Sequence, residues 1–263
     1  MSESLVFGLI IGISVGFSAG YLGSLMVLEK MALVGDALSH VALPGLALGI
    51  LFNFNPFLGA FASLFSSAVI IWHLGRVTKL SFETLVAAMF TLALAIGILI
   101  IPEPDLLEAL FGSITSVGLV DTAVAVIVAV VAIFLTRIIY RKLVLGMISE
   151  ELATSTGINV ARTNLLYLLL VSLVVAVGIK IVGTLLVGFL VVVPAAAARN
   201  LSPNLSRYYK LSSVFGVISS SSGILLSSYT NLPAGPGPLV VLSGITIFLA
   251  TVVIKWASKF HAF

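Results

Sequence analysis

Stretches of about 20 apolar residues, each long enough to span a hydrocarbon core, recur along this chain with short polar breaks between them. In lipid every backbone amide and carbonyl must find its partner within the protein, so such segments fold as helices. The expected spans are 5–28, 31–51, 56–74, 83–101, 118–140, 163–180, 183–198, 208–229 and 238–257. The seventh is short and contains Pro194, which marks it for a broken or re-entrant helix and sets the number of full crossings at eight or nine. The fold class is therefore all-α, a polytopic transmembrane helical bundle. Charged residues make up 9% of the chain against about 25% in soluble domains, and no polar stretch is long enough for a separate soluble unit. Residues 1–263 read as a single transmembrane domain. The first segment opens with MSES, has no basic flank and carries a longer apolar run than a signal peptide, so it is expected to remain as a span.

Lys and Arg positions set the orientation. An external N-terminus followed by nine crossings places Lys30, Arg76, Lys79, Arg137, Arg141, Lys142, Arg162, Arg199, Arg207, Lys210, Lys255 and Lys259 inside, with Lys180 alone outside. The chain is thus expected in the cell membrane with a cytoplasmic C-terminus. Because these basic residues sit at segment ends instead of forming one face, the overall positive charge does not point to nucleic acid. The outer loop 102–117 carries Glu103, Asp105 and Glu108 without a basic residue, which either concentrates cations at an entrance or simply solvates the loop. Cysteine is absent, which removes disulfides and thiolate metal sites from consideration.

The most informative ionisable pair lies within the second span. Asp36 and His40 are four residues apart in MALVGDALSHVALPGLALGI, so a carboxylate and an imidazole project from one helix face. Burying a carboxylate in hydrocarbon costs several kcal/mol unless it is paired or faces a wet cavity, which makes the pair a functional candidate. Pro44 deprives the His40 carbonyl of its usual partner and is expected to bend the helix at that level. Asp and His together suit zinc, manganese or ferrous iron, and two ligands are too few for a closed structural site. The alternative is a packing histidine and an interfacial Asp cap.

Gly8, Gly12, Gly16 and Gly20 repeat every four residues in the first span and form a ridge on which another helix can pack closely. The run Ser219 to Ser222 with Gly223 points to similar close contact or to a hydrated face in span 208–229. After the basic stop RIIYRK, the longest polar stretch on the inner side, 143–162, contains SEELATSTG: Ser149 can cap a short helix, Glu150 and Glu151 occupy its first turn, and Gly157 can end it. An intramembrane metalloprotease is excluded, since the three histidines His40, His73 and His261 form no HExxH. The chain also has no phosphate-cradling GxxxxGK[ST], so it is not itself an ATPase, and no tightly bound cofactor is expected. An ion-coupled secondary transporter of metal cations is the competing reading, although no second half echoes GDALSH.

In order and spacing, GDALSHVALPGLALG, EELATSTGI, GTLLVGFLVVVPAAAAR and GPGPLVVL resemble the permease subunits of ABC importers for zinc, manganese and iron, from about residue 20 to 257. The resemblance implies a type II importer permease that forms a homodimer and works with two cytoplasmic ABC ATPases and an external metal-binding protein. The family's acid and histidine match Asp36 and His40, which implies passage of a divalent metal ion past them. The family's ATPase-docking segment matches Glu150, Glu151, Leu152, Ala153 and Gly157, with ATP used by the partner subunit. The LPG after the histidine is more similar to the manganese and iron branch than to the zinc branch.

Overall fold

The computed structural model describes residues 3–78, 80–101, 109–112, 117–230 and 235–260. It consists of α1 (Glu3–Leu28), α2 (Ala32–Val41), α3 (Leu43–Leu51), α4 (Pro56–Val77), α5 (Phe82–Ile100), α6 (Leu119–Ile148), α7 (Glu150–Ser155), α8 (Val160–Val182), α9 (Thr184–Leu201), α10 (Leu205–Thr230) and α11 (Gly237–Phe260), with no strand among the described residues. Eight stretches are long and apolar enough to cross a membrane, α2 and α3 together making one of them, while the apolar part of α9, Val187–Leu201, is shorter.

Helix boundaries follow the local chemistry. Asn55, Ser81, Ser149 and Asn159 each accept a backbone amide from the first turn of α4, α5, α7 and α8, satisfying donors that a helix leaves unpaired. At the end of α1, Lys30 adopts φ 62°, with its amide bonded to the Val27 carbonyl and the Met31 amide to the Met26 carbonyl, which is the Schellman arrangement. Asn53 and Gly157 close α3 and α7 in the same way.

Burial separates centre from rim. Val34–Leu51 and α8 are 72% buried, whereas α5 and α11 are 22% buried and turn most of their surface outward. The glycine ridge of α1 serves contact inside the chain: side chains at Gly16 and Gly20 would collide with the backbone of α10 at Gly216 and Ser212. Across this seam the Ser220 hydroxyl donates to the Gly12 carbonyl at 2.8 Å and the Ser212 hydroxyl to the Gly20 carbonyl. Ser219 donates to Val240 of α11 at 2.9 Å. Gly8 is buried on the same helix. These serines are interhelix ties, the role small polar residues commonly fill in lipid.

Pro194 does not break its helix as expected, since α9 runs continuously from Thr184 to Leu201 with the proline inside. Packing is the reason. Pro194 is buried, and α9 lies among α1, α2, α8, α10 and α11, whose contacts offset the backbone hydrogen bond that the proline forgoes.

The bundle has two distinct ends. At one, Lys180 pairs with Asp121 at 2.6 Å, the Thr184 hydroxyl donates to the Ala109 carbonyl, and Gly112, Gly183 and Gly235 pack together with positive φ. At the other lie α7, the α1–α2 reversal and the start of α8, where Trp72 of α4 donates to the Ala161 carbonyl at 2.8 Å and Arg76 stacks over the Trp72 ring. Glu103, Asp105 and Glu108 lie outside the described residues.

Candidate functional site

The helix bearing the polar pair is interrupted. α2 ends at Val41 and α3 starts at Leu43, with Pro44 in the first turn of α3. The Val41 carbonyl at this break accepts the Ser63 hydroxyl of α4 at 2.6 Å. The interruption, at Ala42, therefore falls two residues past His40 and is braced by a neighbouring helix.

Asp36 and His40 occupy different surroundings. Asp36 is exposed and lines a cavity of about 220 Å³ between α2 and α5, together with Lys30, Val34, Glu83, Val86 and Phe90. His40 is 7% exposed, and its Nδ1 is buried without a hydrogen-bond partner. Its ring meets Phe90 edge-on at 5.1 Å between centroids. The Asp36 carboxylate is close enough to act electrostatically on the imidazole. Phe90 is thus shared by both environments, lining the Asp36 cavity and meeting the His40 ring. Gly188 of α9 makes room for the pair, since a side chain there would strike the Asp36 backbone and carboxylate. Among the described residues, no group of three or more His, Cys, Asp or Glu side chains is assembled to hold a metal.

The short helix expected on the inner side is α7, capped by the Ser149 hydroxyl, which accepts the Leu152 amide at 3.1 Å. It packs on α6 and α8. One of its residues departs from the expected role: Ala153 points inward and is 0% exposed, so it holds α7 to the bundle and offers no surface to a partner. Leu152, 49% exposed, stands out with Glu150, Glu151, Thr154 and Ser155. Gly157, with nothing near its missing side chain, is required by its φ of 82° alone.

Phe90, Glu83 and Glu29 were not singled out by sequence. Phe90 is one of 16 phenylalanines, and Glu83 reads as an ordinary first-turn acid. Glu29 sits at the α1–α2 reversal, half-buried near Tyr167, with Oε2 buried and unpartnered. Burial pushes its carboxyl from the ordinary 4.5 up to about 7. Between those values the folded chain holds a proton that the unfolded chain has lost. The stability from this proton is therefore full below the lower value and disappears as pH rises through about 7. Glu29→Gln, which cannot ionise, is expected to raise the thermal midpoint of the detergent-purified protein at mildly alkaline pH, by an effect on the order of 3 kcal/mol, and to lose that advantage in acid. Equal pH dependence of the two midpoints would show that Glu29 is solvated.

Comparison with known proteins follows the same architecture. The chain is 31% identical over 235 residues to the manganese transport system membrane protein MntC of Listeria innocua, covering 88% of this chain and 84% of that protein. It is 28% identical over 256 residues to the high-affinity zinc uptake system membrane protein ZnuB of Buchnera aphidicola, covering 95% and 98%. Among solved structures, PsaBC from Streptococcus pneumoniae in complex with Fab superimposes with a TM-score of 0.83 at 30% identity, covering 95% of this chain and 91% of that one. The profile of the ABC 3 transport family matches residues 1–255, and with a bundle of apolar helices of the same fold, the chain belongs to that family as a membrane-spanning permease.

Proposed function

We propose that two copies of this chain form the translocation path of an ATP-driven importer of divalent transition-metal ions, manganese, zinc or iron. The observation that carries this reading is the interrupted α2–α3 span, with an exposed carboxylate on a cavity and a buried imidazole nitrogen without a partner one turn away. His40 would ligate through a neutral imidazole nitrogen, and Asp36 through a carboxylate kept ionised by the cation. Two ligands from one chain bind a passing ion without caging it, which suits a conduit that must both strip water and release. With the pair near a two-fold axis, the second copy would supply two more. The names of MntC and ZnuB support manganese or zinc as the cargo class.

Two separate ABC ATPases would dock on α7 at the basic end, which the positive-inside rule assigns to the cytoplasm, and an external metal-binding protein would deliver cargo to the opposite end. Driving force is the deciding test. In proteoliposomes containing this permease with its ATPase, uptake of manganese or zinc is expected to require ATP and to persist after proton and sodium gradients are collapsed. Uptake driven by an ion gradient without ATP would instead make the chain a secondary transporter.

A further inference from the structure

A second polar cavity, unrelated to the metal pair, opens between α1, α6 and α10 at the basic end of the bundle. Its volume is about 500 Å³, and its walls are half polar: Tyr21, Arg137, Tyr140, Arg141, Ser206 and Tyr209. Arg137 shares this wall with the phenols of Tyr21 and Tyr209. The Tyr209 ring is met edge-on by Tyr21 at 5.5 Å and by Tyr140 at 6.3 Å. The Ser206 hydroxyl lies 3.5 Å from the Tyr209 hydroxyl. Among the described residues no carboxylate lines this cavity, and the ion pair they contain, Lys180–Asp121, is at the other end of the molecule. Two cationic forks are therefore collected beside three tyrosines, without an internal anion.

The surface leading from the cavity toward the other end is apolar. One helical turn deeper than Tyr21, Phe17 is 41% exposed, followed by Ile13. On α6, Phe134, 64% exposed, lies directly below Ile138 and continues into Val130 and Ile127, both exposed. These positions follow the i, i+3, i+4 spacing of a single helix face. We propose that this cavity binds the phosphate of an anionic phospholipid headgroup, with Arg137 and Arg141 as its cationic partners, the tyrosine and serine hydroxyls as donors, and acyl chains along the Phe17 and Phe134 stripes. Guanidinium groups match phosphate oxygens with paired hydrogen bonds, tyrosines favour the interfacial level, and basic pockets between spans on the cytoplasmic side recruit such headgroups. Free phosphate shares the headgroup chemistry but has no use for the apolar stripes.

Native mass spectrometry of the detergent-purified permease, titrated with phosphatidylglycerol, phosphatidylcholine or inorganic phosphate, tests the assignment. Phosphatidylglycerol is expected to be retained in preference to phosphatidylcholine and not to be displaced by inorganic phosphate. The double substitution Arg137→Gln with Arg141→Gln is expected to weaken that retention by about thirtyfold, as removal of two cationic contacts implies. If the double variant does not purify as a folded species, Tyr21→Phe with Tyr209→Phe keeps the rings and removes the hydroxyls, and a severalfold weaker retention is expected. Undiminished phosphatidylglycerol binding by the folded variant, equal binding of phosphatidylcholine, or displacement by inorganic phosphate would each overturn the proposal.

Discussion

Asp36→Asn is expected to abolish divalent-metal uptake in reconstituted vesicles while leaving the yield of folded permease unchanged. The substitution keeps the side-chain volume on an exposed cavity wall and removes only the charge, so little packing is at stake. His40→Ala is expected to do the same to transport, although its ring is buried against Phe90 and some stability goes with it. Partners that merely orient a ligand are worth about 10–100-fold in metal affinity or activity, so loss of a ligand from a two-ligand set should reach that upper bound. Acidification that protonates the imidazole removes the same donor and is expected to slow uptake in wild type. Measuring vesicle uptake of manganese and zinc against size-exclusion profiles separates transport from folding. Wild-type rates in both variants would make the pair structural, a packing histidine beside an interfacial acid.

Much of the architecture was legible because lipid leaves a chain few choices. Apolar length located the helices, Pro44 marked the interruption between α2 and α3, and Ser149 with Gly157 framed α7. What escaped depended on neighbours that sequence spacing does not reveal. Pro194 carries the same local instruction as Pro44, yet its helix continues through it; Pro194 is buried, whereas Pro44 is only partly covered. Ala153 and Leu152 are adjacent in a helix of six residues, too short for periodicity to tell the inward face from the outward one. Glu29 next to Lys30 reads as a solvated turn, and only the tertiary fold buries its carboxylate oxygen near Tyr167. The Asp36–His40 pair was visible from its spacing, but its division into an exposed acid and an enclosed imidazole, with Phe90 shared by their surroundings, was not.

Leu152→Arg is expected to uncouple transport from ATP hydrolysis by preventing the ATPase from seating on α7. Leu152 is the outward apolar residue of this helix at 49% exposure, and Glu150, Glu151, Thr154 and Ser155 are its exposed polar neighbours in the chain. A cation forced into an apolar contact without a partner costs about 2 kcal/mol or more, so Leu152→Arg should weaken co-purification with the ATPase by roughly thirtyfold. Glu150→Gln and Glu151→Gln, beside it, are expected to alter mainly the salt dependence and rate of association. Ala153→Arg is a different experiment: with the residue fully enclosed, the substitution forces a charge into the α6–α7–α8 contact and is expected to lower the yield of folded permease. The two outcomes distinguish docking from folding. If Leu152→Arg still recovers its ATPase and supports metal-stimulated hydrolysis at the wild-type rate, the partner binds elsewhere on the basic end, and α7 is an ordinary connecting helix.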